Sequence, residues 1–321
     1  MMVNSASVIT TGGPGRLNPE MVRQLATTEE LVGRQGVFSA TAAAEILAYG
    51  GVVGSEVEIF PHQTRCMDYA RELIRREEAA GRSFASGKVF IARELADGRG
   101  RFARAWHAPA GGLWLTLVMV NTLLPQHGRF YPLAAGVACA EALRCFGVEA
   151  RIKWVNDILV NDRKLAGILT ETDRGLSGRE EYVLIGIGIN VNNDCFPPEL
   201  AGLALAMKDV LGRETDLELL AARLLAKLRW NIGLLHYVEA RQLADEGDSG
   251  EPPARHPLLT AWRQYSDTIG RRVMFGFDVQ LAPQYEALVE DIDPAGGLVL
   301  HHLADGRRIT EYAGEIVYLS E

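Results

Sequence analysis

Cysteine is scarce in this 321-residue chain, and positive charge is in deficit. The four cysteines, Cys66, Cys139, Cys145 and Cys195, form no CxxC pair and share no ligand spacing with the seven histidines. That scatter argues against a disulfide scaffold and a structural zinc, and reads as reduced thiols. Lys and Arg number 33 against 41 Asp and Glu, a formal net charge of −8. Generic nucleic-acid binding needs a basic field to neutralise phosphates, so this balance speaks against it while leaving room for a small basic site. No apolar run reaches membrane-spanning length, and no basic segment followed by an apolar one opens the chain. A cytoplasmic protein with no membrane partner is therefore expected. Hydrophobic residues make up 48% of the chain, enough at this length to bury a core in two or three domains.

Residues 1–17 are small, polar and glycine-rich, and are expected to be loosely draped. Short helical patterns follow over 19–49, the clearest at 41–47 and ended by Gly50 and Gly51. A DNA-reading helix would carry basic residues, yet between Arg23 and Arg65 only Arg34 is basic, so DNA is not an expected partner. Residues 53–60 alternate like a strand, 68–80 carry an apolar stripe at helical spacing, and 88–92 and 112–120 read as strands. Residues 131–145 are an alanine-rich helix. In 148–154 the alternation places Arg151 and Lys153 on one face, where they would lend positive potential to anything lying over the sheet.

Beyond 190, Thr215 and Glu218 have the spacing of a capping box opening a long helix to 235. Residues 245–257 are acidic and rich in glycine and proline, a linker or excursion. A short helix at 258–266 precedes a run of short strands over 271–319, which suggests a small β-barrel-like domain.

The densest polar signal lies between Arg151 and Asn190. Three apolar runs flank a hairpin turn at Asn161, Asp162 and Arg163, and asparagines, aspartates, a lysine and alternating glycines sit at their ends. Such a set suggests an anionic ligand laid across a sheet. Upstream, Gly98, Arg99, Gly100, Arg101 and Arg104 form a loop in which glycines permit close backbone approach and arginines suit phosphate or carboxylate oxygens.

Gly98 to Arg101 with Arg104 and Trp106, then Lys153, Trp154, Val155, Asn156 and Asp157, then Arg163, Lys164, Leu165, Ala166 and Gly167, and finally Gly186, Ile187, Gly188, Ile189 and Asn190, occur in one order. In that order they resemble the catalytic core of the biotin protein ligase family, within the biotin/lipoate protein ligase superfamily. The resemblance runs from about residue 53 to 321. It implies an α+β fold: a mixed β-sheet catalytic domain flanked by helices, with a small SH3-like β-barrel C-terminal domain. It divides the chain into an N-terminal extension (1–52), a ligase domain (53–257) and a C-terminal domain with its lead-in helix (258–321).

The implied activity forms biotinyl-5'-AMP from biotin and ATP with magnesium, then transfers biotin to a lysine of a biotin carboxyl carrier protein. No tightly bound cofactor is implied, and a homodimer is. By resemblance, Arg99, Gly100 and Arg101 line the acyl-phosphate region, and Lys164 contacts carboxylate and α-phosphate, making Lys164 and Arg101 the catalytic pair. Asn156 and Asp157 face nucleotide and magnesium, Asn190 faces the ATP side, and Gly167, Gly186 and Gly188 leave room for the rings. Arg104 and Trp106 belong to a loop that closes over the adenylate.

The chain departs from the family pattern at four places. Val155 stands where proline is usual, and Ala103 where a second glycine is, a mild change. In an ungapped reading Leu95 takes the position of a glutamine that bonds the biotin ureido group. Aligned on Met67 and Asp68, Arg65 and Cys66 take the places of a serine and threonine that also contact biotin, and a shifted frame recovers only Thr64. A buried ureido that loses such partners costs roughly 1–3 kcal/mol per group. Lipoate or octanoate as the acid, or a ligand-binding protein without transferase activity, therefore stand as alternatives to biotin ligation.

Overall fold

The computed structural model describes residues 17–176, 178–194, 196–245 and 256–319. The glycine-rich first sixteen residues, Cys195 and most of the acidic 245–257 segment lie outside them. The apolar runs form a seven-stranded mixed sheet in the order β1 (Val57–Phe60), β2 (Lys88–Ala92), β3 (Leu113–Val120), β7 (Tyr182–Ile189), β6 (Arg163–Asp173), β5 (Asp157–Val160) and β4 (Arg151–Lys153). β1 and β2 are parallel and the other neighbours antiparallel. The expected α+β class is the observed one.

Strand parity gives this sheet two unlike faces. On one, Ile91, Leu115, Ile168, Ile185, Ile187 and Ile189 enter the main core with the helix Tyr131–Arg144, against which the helix Leu217–Asp245 packs. On the other, Phe90, Val118, Tyr182 and Leu184 pack under Met67, Ala70 and Ile74 of the helix Cys66–Ala79. Along β7 this second face then changes from Tyr182 and Leu184 to Gly186 and Gly188. Where the large side chains stop, the helical cover stops too, and a cavity opens.

Several sequence expectations need correction. The first strand begins at Val57, because Gly54 turns the chain at φ 71 and 50–52 form a 3₁₀ turn. The long helix runs to 245, and its cap is Asp216, whose Oδ1 accepts from the Glu218 and Leu219 N–H groups at 2.8 and 3.1 Å. Thr215 is excluded from that role because the Asn192 amide holds its backbone on both sides. Glu218 is used at long range, accepting from Leu17 N–H and Arg93. The hairpin turn, by contrast, is as expected: Asn161 and Asp162 both lie at positive φ (50 and 58), as a two-residue turn of the primed type requires.

Residues 17–54 join the main core through Leu17, Val22, Ala43, Ile46 and Val53. Arg34 makes a two-pronged contact with Glu141 on the 131–144 helix at 2.7 Å. At the crossing of helix Ala40–Tyr49 with Leu217–Asp245, a Cβ on Gly233 would stand 2.1 Å from the Ile46 carbonyl oxygen.

At the other end, the helix Pro257–Tyr265 packs on Tyr131–Arg144. It leads into an antiparallel sheet of β8 (Arg272–Gly276), β9 (Tyr285–Ile292), β10 (Leu298–His302), β11 (Arg308–Glu311) and β12 (Glu315–Tyr318), ordered β11-β10-β9-β8-β12. Ser266 and Thr268 stitch this sheet to β4, at the Ile152 carbonyl (3.0 Å) and the Trp154 N–H (3.1 Å).

Backbone against backbone leaves nothing flexible to yield at the helix crossing. Gly233→Ala should lower stability by roughly 1–3 kcal/mol in urea denaturation; a variant as stable as the wild type would refute the tight crossing.

Candidate functional site

Directly opposed residues of neighbouring strands show their side chains on one face. The registers Trp114↔Gly188, Gly188↔Gly167, Gly167↔Asp157 and Asp157↔Lys153 therefore lay one row across β3, β7, β6, β5 and β4. A second row, Thr116↔Gly186↔Leu169, runs beside it. The glycines make a trough flanked by a charged end. It forms the floor of a cavity of about 750 Å³. Trp106 lies along this trough: a Cβ on Gly188 would be 2.7 Å from its Nε1, and one on Gly167 2.9 Å from its ring. At Gly186 the neighbour is Met67, whose sulfur would be 3.0 Å away.

Lys164 reaches the same face through a β-bulge. Ile158 pairs with Ala166 and Leu159 with Lys164, so Leu165 is an extra residue. Both Leu165 and Ala166 turn into the main core, and the bulge brings Lys164 round to the side of Gly167. The segment 203–205 fixes its backbone, with the Lys164 N–H on the Leu203 carbonyl at 2.8 Å and the Leu205 N–H on the Lys164 carbonyl at 3.2 Å.

The Lys164 ammonium lies 2.5 Å from Asp157 Oδ1 and 5.1 Å above the Trp106 ring, and Lys153 stands 3.7 Å from Asp157 Oδ2. Burial by itself pushes the Asp157 carboxyl up, but Lys164, Lys153 and Arg101 together outweigh it and hold its pKa below the usual carboxylate value. Two lysines around one carboxylate leave net positive charge in a partly enclosed site, where it acts strongly on an anion. The Asn156 amide is tied down, donating to the Ile168 carbonyl at 2.8 Å.

The arginine loop closes the opposite wall. Arg101 donates to the Gly314 carbonyl at 2.7 Å. Arg104 is held two-pronged by Glu315 (2.9 and 2.8 Å) and also bonds Asp278. Arg99 pairs with Asp97 at 2.6 Å. Phe102 and Ala103 both sit at positive φ (54 and 57), so the alanine at the expected glycine position carries real backbone strain, more than the mild change read from sequence. At the far end Arg65, Cys66, Met67 and Leu95 line the cavity. Arg65 is engaged by Asp68 (3.0 Å) and Glu171 (3.4 Å). Burial pushes the Cys66 thiol up to about 12, which removes it as a nucleophile.

The pattern of the biotin/lipoate A/B protein ligase family matches residues 72–190. The biotin–[acetyl-CoA-carboxylase] ligase of Mycobacterium tuberculosis is 30% identical over 247 residues, 75% of this chain and 82% of that protein. The chain belongs to the biotin/lipoate protein ligase family. The bifunctional ligase/repressor BirA of Bacillus spizizenii is 37% identical over 143 residues, 43% of this chain and 44% of that protein. The chain thus spans about half the length of the BirA relatives it matches. A solved biotin protein ligase from Aquifex aeolicus, in complex with biotin and ATP, superposes with a TM-score of 0.61 at 19% identity, covering 83% of this chain and 99% of that one. At that identity the likeness concerns the fold.

In this member of the biotin/lipoate ligase family, the twelve site residues that the resemblance implied line one cavity: Arg99, Gly100, Arg101, Arg104, Trp106, Asn156, Asp157, Lys164, Gly167, Gly186, Gly188 and Asn190. Lys153 also lines it, as its parity with Arg151 suggested. Arg151 does not, since β4 carries it about 7 Å farther along, where it is exposed and donates to the Gln264 carbonyl at 3.3 Å. Sequence reasoning missed Glu315 and Asp278, which hold the loop, and Asn193 behind Asn190. The first two lie some 200 residues from their partner, and nothing local marks them.

A carboxylate with a depressed pKa contributes stability that is complete above its unfolded pKa and lost as pH falls through the folded value. The stability difference between wild type and Asp157→Asn should accordingly be full at neutral pH and close below about pH 4. A difference that stays constant under acid titration would sink the lysine–aspartate account.

Proposed function

We propose that this protein is an ATP-dependent biotin protein ligase, and the observation that carries the reading is Lys164 held at Asp157 beside the glycine trough. A carboxylate oxygen of the acid attacks the α-phosphorus of ATP, pyrophosphate leaves, and biotinyl-5'-AMP forms. A carrier lysine, as the neutral amine, then attacks the acyl carbon and AMP departs. Both steps build negative charge on oxygen, which Lys164 and Arg101 are placed to offset. The trough supplies alignment of two substrates, so no nucleophilic side chain is required.

Asp157 holds Lys164 extended toward the reacting groups. Its two oxygens face two ammonium groups. Asp157 is therefore assigned first to holding Lys164, and the magnesium that the resemblance implied would be held chiefly by the phosphates of ATP. Arg104, occupied by Glu315 and Asp278, is likewise assigned to holding the loop over the site, with Trp106 and Asn190 on the nucleotide and Asn156 supporting β6.

The carrier is read as the biotin carboxyl carrier domain of a carboxylase, in line with the mycobacterial relative's name. No helix of the described residues is long and apolar enough to cross a membrane, and a cytoplasmic place is part of the proposal. So is a homodimer. A repressor role, the second function in the BirA name, finds little support in residues 17–54 as a DNA reader, since Arg23 pairs with Glu20 and Arg34 with Glu141 and Glu30.

Pyrophosphate exchange against biotin, lipoate and octanoate tests the reading. Exchange with biotin is the expected result; exchange only with lipoate or octanoate would move the protein to another acid, and exchange with none would favour a binding protein. Lys164→Ala should lose about 100-fold or more in exchange while remaining folded.

A further inference from the structure

Asn190 borders the cavity at the end of β7 and is 3% exposed. Its backbone is fixed, with the N–H on the Leu165 carbonyl at 2.9 Å and the carbonyl accepting from the Met207 N–H at 3.0 Å. The side-chain amide could still present either its oxygen or its NH2, which are nearly the same size and opposite in hydrogen-bond character. Asn193, 1% exposed, decides between them. The Val191 backbone N–H can only donate, and it donates to Asn193 Oδ1 at 3.0 Å. With its oxygen committed, Asn193 turns its NH2 to Asn190 Oδ1 at 3.1 Å. The Asn190 amide nitrogen, which has no partner among the described residues, is then the end left for the cavity.

We propose that Asn193 is a positioning residue that sets the polarity of Asn190, so that the site offers an N–H donor and demands an acceptor atom of the nucleotide at that point. This rests on the adenylate-forming reading above. The relay begins at a group whose direction cannot reverse, so it does not depend on how either amide is drawn.

Asn193→Asp keeps the shape and still accepts from Val191, but its carboxylate cannot donate. It draws the Asn190 NH2 toward itself and turns the Asn190 oxygen to the nucleotide. Asn193→Ala only releases the amide. The KM for ATP should therefore rise about tenfold in Asn193→Asp and less in Asn193→Ala, with the KM for biotin and kcat within about twofold of wild type. In an Asn190→Ala background, Asn193→Asp should add nothing to the KM for ATP.

A KM for ATP that is unchanged, that rises together with the KM for biotin in step with lost melting temperature, or that rises additively in the double variant would overturn the relay. Should Asn193→Asp not fold, the same cycle with Asn193→Ala reads the coupling. If the wild type shows no acid-dependent exchange, the ligase reading falls. Calorimetric titration of ATP alone into the same variants then tests the polarity of Asn190.

Discussion

The site depends on one registered pair of glycines. Gly167 and Gly188 face each other across β6 and β7, and the Trp106 ring lies where their side chains would otherwise be. A methyl group on either strand would lift the indole off the sheet, and with it the loop that carries Arg99, Arg101 and Arg104. The helix Cys66–Ala79 covers the same face as far as Gly186, which Met67 overlies, and leaves Gly188 to Trp106. Glycines in place of large apolar residues on β6 and β7 thus turn a packed sheet face into a trough while the register between those two strands runs unshifted. That continuity matters, because a trough floored by strands is stiffer than one floored by loops.

Charge is arranged around the trough so that positive groups remain usable. Asp157 holds Lys164 and Lys153 at the same carboxylate, and the two ammonium groups in turn keep its carboxyl below the usual carboxylate range. The arrangement leaves one unit of positive charge uncompensated near the glycines. On the outer wall Arg104 gives its whole guanidinium to two carboxylates of the C-terminal sheet, so its contribution is to the position of Trp106 and Arg101.

Much of this was legible in sequence. The strand face of Lys153, the hairpin at Asn161 and Asp162 and the alternation of Gly186 and Gly188 follow from period-two patterning and turn chemistry, both local properties. Counting by twos fails at Lys164, however: it lies three positions before Gly167, an odd offset that assigns the two to opposite faces. Only the bulge at Leu165 brings them together, and a bulge belongs to the pairing of two strands and has no mark on either one. Thr215 illustrates another limit. Its spacing to Glu218 was a valid capping signal, but the distant Asn192 claims its backbone and passes the cap to Asp216.

The C-terminal sheet has a deeper part in the site than its separate position in the chain suggests. Its Thr268 hydroxyl accepts from the Trp154 N–H and meets the Tyr318 hydroxyl at 3.0 Å, and the Lys153 ammonium lies 5.6 Å over the Tyr318 ring. From the same strand, Gly314 and Glu315 take Arg101 and Arg104. A single short strand, β12, and the residue before it therefore touch both walls of the cavity, β4 through Lys153 and the loop through its arginines. Displacing that strand by even an ångström would release the two walls together, because each holds its place against it. The two sheets consequently share one cavity, and the C-terminal one acts as the clamp that keeps the cationic loop and the glycine floor at a fixed separation.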